Sequence, residues 1–303
     1  METIKKLMIS ILIPTYNYNV FPLAKSLEKQ FIELGFPFEL ICIDDGSLSE
    51  TNIKNEKINN LKNCKFIASK ANLGLSSNRN SLVEKSKYEY LLFIDGDSVI
   101  ADNNFLNKYS IFANGAFDVV YGGRVHPSIQ NKNQILRWKY GVYREDKIAR
   151  KREIHPYKCT LFNNTLIKKD IFNKIGFNKD ITDYGHEDTL FSFQLSKLKA
   201  KVKHIDNPVL HGDIDLNSVF YKKMHKSIQN LKYIYNNNLV DPDFVTFLSI
   251  YSKIKKLKLN YPLSLTYKIL KPIYNYQLTS NYASLFLFDA FRLTYFCYIN
   301  LKK

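Results

Sequence analysis

Met8-Ile9-Ser10-Ile11-Leu12-Ile13, closed by Pro14-Thr15-Tyr16-Asn17, is the stretch from which the fold is read. Apolar, mostly β-branched residues follow one another without polar alternation, as in a strand covered on both faces at the centre of a parallel sheet. Lys5 and Lys6 before the run superficially resemble a secretion signal. The apolar run is short, Pro14 ends it, and no small-residue cleavage site follows, so a buried first strand is expected.

Reading outward, Phe21 to Leu34 has helical periodicity through Leu23, Leu27, Phe31 and Leu34, and Gly35 stops it. Phe38 to Ile43 is expected as a second strand, ending in Asp44-Asp45-Gly46-Ser47. Ile53 to Leu61 reads as helical, Cys64 to Ala68 as a third strand and Ser77 to Lys87 as a helix. Tyr90 to Ile94 is a fourth strand, ending in Asp95-Gly96-Asp97-Ser98. Strand–helix alternation of this kind predicts a right-handed, mostly parallel α/β sheet with flanking helices.

The middle of the chain is less regular. Val119 to Gly123 and Thr160 to Leu166 read as strands, and Asp170 to Ile175 as a short helix ending at Gly176. Arg137 to Arg152 is basic and aromatic with no clean period. Thr182 to Asp188 is polar and leads into a helix through Leu190, Phe191, Leu195 and Leu198; Lys201 to Ile205 and Pro208 to His211 are short strands. Beyond Asn217 the texture becomes long Lys-, Tyr-, Leu- and Asn-rich helices, with breaks expected at Pro242, Pro262 and Pro272. A catalytic domain over 1–217 and a helical, basic region over 218–303 are expected.

The 303 residues are 45% hydrophobic and 24% charged, which excludes collagenous, low-complexity and disordered classes. The 44 basic and 28 acidic residues give a net charge of +16, which implies an anionic partner. From Leu216 to Lys303 there are 13 Lys or Arg against three acids, so +10 of that excess lies in the last 88 residues. Cys42, Cys64, Cys159 and Cys297 show no CxxC spacing; zinc and disulfide frameworks are unsupported, and reduced thiols in a cytosolic setting are expected.

The polar motifs follow strands, and in open α/β sheets ligands bind beyond the carboxyl ends of the strands. Asp95 and Asp97, at i and i+2, offer hard oxygens suited to Mg²⁺ or Mn²⁺; the alternative is a capped Asp-Gly turn. Asp44 or Asp45 can accept from a nucleobase N–H or a ribose hydroxyl, or can simply shape an Asx-turn. Glu187 and Asp188 open a helix, where acids complement the macrodipole, or one of them serves as a general base toward an acceptor hydroxyl. His211 is a structural histidine or a further metal ligand.

Taken in order, Ile11 to Asn17, Ile43 to Ser47, Asn72 to Asn80, Phe93 to Ser98, Gly185 to Asp188 and His211 give a chain that from about Met8 to Gly212 resembles a family 2 glycosyltransferase of the GT-A fold. The resemblance implies that Pro14, Tyr16 and Asp45 line a nucleotide pocket, with Asp45 on the base. It places Asn72 and Arg79 near the base, ribose or diphosphate. Asp95 and Asp97 become the DXD motif, Asp97 the direct metal ligand and Asp95 nearer the ribose, with His211 an additional ligand to Mn²⁺ or Mg²⁺. Asp188 is implied as catalytic base and Glu187 as the group orienting the acceptor. The reaction implied is inverting transfer from a nucleotide-sugar donor, expected to be a uridine diphosphate sugar, to a glycan or lipid-linked acceptor in bacterial surface polysaccharide synthesis. His186 departs from the family, which more often carries a bulky aromatic there. Acceptor specificity is expected from Arg137 to Arg152 and the region of Asn163 and Asn164.

Leu285 to Leu301 is expected either to pack on the domain, to lie on an anionic membrane surface beside Lys253 to Lys258, or to form an oligomer contact. A peripheral location at the inner face of the plasma membrane follows from the second reading. Three rivals are weaker. A sugar nucleotidyltransferase needs a Gly-rich basic loop where Pro14 to Asn17 stands. A nucleic-acid binder fits the charge but lacks any recognisable basic-helix, zinc-finger or RNP signature. A catalytically dead carbohydrate binder has no use for carboxylates at three strand ends.

Overall fold

A computed structural model of the chain describes residues 8–112, 115–129 and 131–302. Ten strands are formed: β1 (Ile9–Thr15), β2 (Phe38–Asp44), β3 (Cys64–Ala68), β4 (Tyr90–Ile94), β5 (Ser98–Val99), β6 (Val119–Tyr121), β7 (Arg124–Val125), β8 (Asn164–Lys168), β9 (Val202–His204) and β10 (Val209–His211). The main sheet has seven strands in the order β3-β2-β1-β4-β8-β6-β9, and β5-β10-β7 form a small second sheet. β1 lies between β2 and β4, parallel to both, with Ile9 opposite Phe38 and Tyr90. β8 runs antiparallel to its neighbours β4 and β6.

The helices are α1 (Phe21–Leu34), α2 (Thr51–Asn55), α3 (Leu75–Lys85), α4 (Phe105–Ser110), α5 (Ile135–Tyr140), α6 (Ala149–Arg152), α7 (Lys169–Ile175), α8 (Glu187–Lys197), α9 (Asn217–Asn236), α10 (Thr246–Lys256), α11 (Asn260–Thr279) and α12 (Leu285–Leu301). They explain the unbroken apolar run of β1. Ile9, Ile11 and Ile13 pack with Leu27 and Phe31 of α1 and Phe105 of α4 on one face. Leu12, pointing the other way, joins Leu82 of α3, Phe172 of α7 and Phe191 of α8. A strand with helices on both sides has no polar face to show.

A third cluster ties the C-terminal helices to the α/β part. Leu136 of α5 and Leu190 and Phe193 of α8 share it with Phe220 of α9, Leu248 of α10, Tyr274 of α11 and Phe291 of α12. One expectation fails here and one open choice is decided. α11 runs through both Pro262 and Pro272. Pro262 lies in the first turn, where a backbone N–H has no intrahelical acceptor to lose. Pro272 is on the exposed side, so the Lys268 carbonyl it leaves unpaired faces solvent. The choice concerns α12: of its three readings, packing on the domain is the one seen, with Phe288, Phe291, Phe296 and Cys297 buried in the cluster. Among the described residues no helix is long and apolar enough to cross a membrane.

Candidate active site

The loops after β1, β2 and β4, the start of α3 and the start of α8 meet around one cavity of about 490 Å³. Pro14, Tyr16, Asp45, Asn72, Asp95, Asp97, Glu187 and His211 all line it. Eight residues singled out from separate strand ends are thus brought together. Arg79 and Asp188 stand immediately behind them.

The β2 loop separates two neighbouring acids. Asp44 is fully buried; its Oδ1 accepts from the Asn17 N–H at 3.1 Å and its Oδ2 from the Ser47 N–H at 2.8 Å, so it ties the β1 and β2 loops together. Asp45, next along the chain, points the opposite way into the cavity. Its Oδ1 accepts from Leu73 N–H at 3.0 Å and its Oδ2 from Gly74 N–H at 2.8 Å. Gly74 has φ +85°, and a Cβ there would lie 2.9 Å from the Thr182 carbonyl oxygen. Glycine is therefore what lets the 72–74 loop close on Asp45. Asn72 is exposed at the cavity edge and Tyr16, 58% exposed, offers an open ring.

Arg79 occupies the centre of the acidic cluster. It is 1% exposed, and its guanidinium lies 5.0 Å from the Phe177 ring centroid. Nη1 donates to Asp188 Oδ1 at 2.7 Å and is 3.7 Å from Glu187 Oε1, while Nη2 donates to Asp95 Oδ1 at 3.1 Å. Burial opposes its charge, yet the three carboxylates hold it firmly protonated. Arg79 thus sits beneath the cavity as a clamp and does not line it.

The surroundings of the acids differ. Asp188 Oδ2 accepts from the Phe162 N–H at 3.1 Å, so both its oxygens are engaged. Glu187 Oε2 is buried without a hydrogen-bond partner. Burial pushes the Glu187 carboxyl up to about 7; the Asp188 charge adds to this and Arg79 opposes it. Asp95 is raised by burial and by Asp97 and Asp188, against Arg79. Asp97 is half-buried; desolvation opposes its charge, but the His211 hydrogen bond and charge, with Arg124 and Arg137, outweigh this and keep it below the usual range. Its Oδ2 is 3.0 Å from His211 Nε2. Strand β10 sets this contact by pairing His211 with Ser98 across the small sheet.

Two arginines share one wall of the cavity: Arg124, which the sequence reading missed, and Arg137, which it held only within the aperiodic 137–152 segment. Arg124 of β7 and Arg137 of α5 line the cavity and both donate to Glu145 Oε2, at 2.6 and 3.1 Å. Glu145 ends a π-helical turn over Gly141–Glu145, and the two arginines overcome burial to hold it down at about 2. The basic, aperiodic composition of 137–152 was the one available signal. His186 is placed outside the cavity lining, at the start of α8 with φ +74°. Asn164 proves to be internal: its Nδ2 donates to the carbonyls of Gly123 and Asn207 at 2.9 and 2.7 Å.

Comparison with known proteins bears on the family and the fold. The family model for Glycosyl transferase family 2 matches residues 10–176. A poly(ribitol-phosphate) beta-glucosyltransferase of Bacillus spizizenii is 30% identical over 119 residues, 38% of this chain and 18% of that protein. An uncharacterized glycosyltransferase of Haemophilus influenzae is 27% identical over 132 residues, 42% of this chain and 51% of its own. The chain therefore spans only a part of the curated relatives it matches. Among solved structures, S. aureus TarS 1-349 in complex with UDP superposes with a TM-score of 0.50 at 22% identity, covering 73% of this chain and 64% of that one. The mannosyltransferase PcManGT of Pyrobaculum calidifontis, in complex with GDP-Man and Mn²⁺, gives 0.55 at 12% identity over 96% and 86%. These likenesses establish the GT-A fold. With the sheet order, the strand-end acids and a family match over more than half of its length, the chain is a glycosyltransferase and belongs to Glycosyl transferase family 2.

Proposed function

We propose that the protein transfers a sugar, with inversion, from a nucleotide diphosphate donor to a hydroxyl of a glycan or lipid-linked acceptor, and that the donor is a uridine diphosphate sugar. The carrying observation is that one cavity holds a donor-type pair, Asp97 with His211, and an acceptor-type carboxylate, Glu187, whose Oε2 has no partner. UDP in complex with TarS supports a uridine donor, and the poly(ribitol-phosphate) named for the Bacillus relative supports a hydroxyl-bearing polymer as acceptor.

The residues suit a divalent metal. Among the described residues no three His, Cys, Asp or Glu side chains are grouped to hold an ion by themselves. The 3.0 Å between Asp97 Oδ2 and His211 Nε2 matches the edge of an octahedron with metal–ligand bonds of about 2.1 Å. Such ions usually take one or two protein ligands and complete their shell with substrate phosphates and water. Asp97 and His211 would hold Mn²⁺ or Mg²⁺, and a bound ion would offset the charge that grows on the leaving diphosphate. Asp95, tied to Arg79, is the reading's ribose-side carboxylate.

In the transfer, the acceptor oxygen attacks the anomeric carbon as its proton passes to a carboxylate. The bond from that carbon to the diphosphate oxygen breaks, and the nucleoside diphosphate leaves with the electron pair. The resemblance makes Asp188 the base and Glu187 the group orienting the acceptor; the geometry favours exchanging them, because Glu187 Oε2 is buried without a partner while both Asp188 oxygens are engaged. Asp188, spent on Arg79 and the Phe162 N–H, positions the cluster. Arg124 and Arg137 add positive charge where the diphosphate would lie. Tyr16 and Asp45, the latter holding the 72–74 loop, form the base end, with Pro14 and Asn72 beside them.

Calorimetric titration of UDP, with and without Mn²⁺, into the wild type and Asp97→Ala tests the donor half. Binding should strengthen with Mn²⁺ in the wild type and lose that dependence in the variant. A folded wild type that binds no UDP with any metal would rule out the uridine donor.

A further inference from the structure

Helix α11 carries an apolar stripe that no other described residue covers. Tyr261, Leu265, Ile269, Ile273 and Tyr276 recur at intervals of four, four, four and three, which is one face of a helix. Exposure along the stripe runs from 51% at Ile273 to 79% at Tyr276. Tyr282 and Phe286, each 80% exposed, continue it toward α12. The opposite face of α11 is anchored, since Tyr267, Tyr274 and Leu278 are buried in the C-terminal core. The stripe is thus a rigid surface feature, held in place by packing.

The charge beside it is of one sign. Lys268 borders the stripe on one side, and Lys271, further round the helix on that same side, joins it and Lys302 in rimming a cleft of about 410 Å³. Tyr267, Tyr295, Tyr298 and His225 supply the remaining walls, and none of the lining residues is acidic. His225 is occupied by the Tyr221 carbonyl, 3.0 Å from Nδ1. From Phe244 to Phe288 the sequence has six lysines and no Asp or Glu over 45 residues. An apolar stripe bounded by tyrosines and bordered on one side by lysines matches the layering of a bilayer surface, acyl chains beneath and phosphates above. A second copy of this chain fits poorly, because face-to-face pairing would oppose lysines with no carboxylate to meet them.

We propose that α11 seats the protein on an anionic lipid surface, with the stripe at the headgroup–acyl boundary and lipid phosphates in the Lys268–Lys271–Lys302 cleft. The helix lies along the surface and does not cross it. This assigns the membrane contact to α11, whereas the sequence alone directed attention to α12, whose apolar face is buried.

Flotation of the full chain with phosphatidylcholine vesicles, with and without about one-third phosphatidylglycerol at ~0.15 M salt, tests the assignment. The wild type should float with the anionic vesicles alone. Ile269→Ser with Ile273→Ser should abolish flotation. Lys268→Ala with Lys271→Ala should weaken it about 25-fold, at about five-fold for each lysine near an anionic surface. All four positions are exposed or half exposed, so both variants should keep the wild-type melting temperature and UDP titration, which separates this result from the donor-site reading. A wild type that stays with the pellet, or serine and alanine variants that float as the wild type does, would overturn the proposal. So would a wild type that fails to float but forms a dimer that the serine variant dissolves.

Discussion

Glu187 and Asp188 are neighbours in sequence with opposite surroundings, and the difference can be measured. Burial and the Asp188 charge raise the Glu187 carboxyl from its ordinary 4.5 to about 7. The folded chain then holds a proton that the unfolded chain releases, so this group's stabilising share is complete below about 4.5 and declines as pH rises through about 7. Glu187→Gln should therefore raise stability at pH 8 by on the order of 1–3 kcal/mol, read from denaturant midpoints. The same substitution should lower kcat/KM by about 10²–10⁴-fold, the usual worth of a general base. Asp188→Asn should leave more activity and move the acid limb of the kcat/KM profile to lower pH, because the charge that raises Glu187 is gone. If Asp188→Asn loses as much rate as Glu187→Gln and the limb does not move, Asp188 is the base and the assignment proposed above is reversed.

Elements were readable from sequence where their environment was uniform along their length. β1, with helices on both faces, announces itself as an unbroken apolar run, and α1 was bounded by Gly35. The loops that carry acids followed from the strand ends, because strand direction fixes which end of the sheet they reach. The segment carrying Arg124, Arg137 and Glu145 was not readable. Its order comes from two arginines, 8 and 21 residues before Glu145, meeting on that one carboxylate, and a π-helical turn leaves no period of 3.6 or 2. Within the acidic motifs, sequence gave residue type but not direction: Asp44 and Asp45 face opposite ways, and Arg79 clamps carboxylates beneath the cavity. The 72–74 loop supplies a test at this scale. Gly74→Ala puts a side chain at φ +85° against the Thr182 carbonyl, a conformation costing about 1–3 kcal/mol outside glycine. It should release the two N–H bonds to Asp45, lower the melting temperature by several degrees and weaken UDP binding more than about ten-fold. Unchanged UDP affinity would remove this loop from the donor site.

At the scale of the whole molecule, composition divides the chain where packing joins it. The charge and residue texture shift near 217, yet the hydrophobic cluster beyond that point is built from both sides. Leu136, Ile181, Leu190 and Phe193 belong to the α/β part and are buried in the same cluster as Phe220, Met224, Ile228 and Phe291. Leu136 N–H donates to Asn217 Oδ1 at 2.8 Å, and Asn217 Nδ2 donates to the Ser280 carbonyl at 2.8 Å, so one side chain bolts α5 to the helical region. α8 begins with Glu187 and Asp188 and sets Leu190 and Phe193 against the C-terminal helices, which makes those helices the backing of the acidic end of α8. Exposing four large apolar side chains forfeits about 1.5–3 kcal/mol each, comparable with the whole stability of a typical domain. A chain ending at Leu216 should therefore melt at least 10 °C lower than the full chain or be recovered as aggregate, and should lose the ordering of Glu187 before that of Asp45, whose supports lie in β2 and the 72–74 loop. Calorimetry and hydrogen exchange on the two lengths decide it. Equal melting temperatures, with equal protection at the start of α8, would show that the helical region is an independent unit.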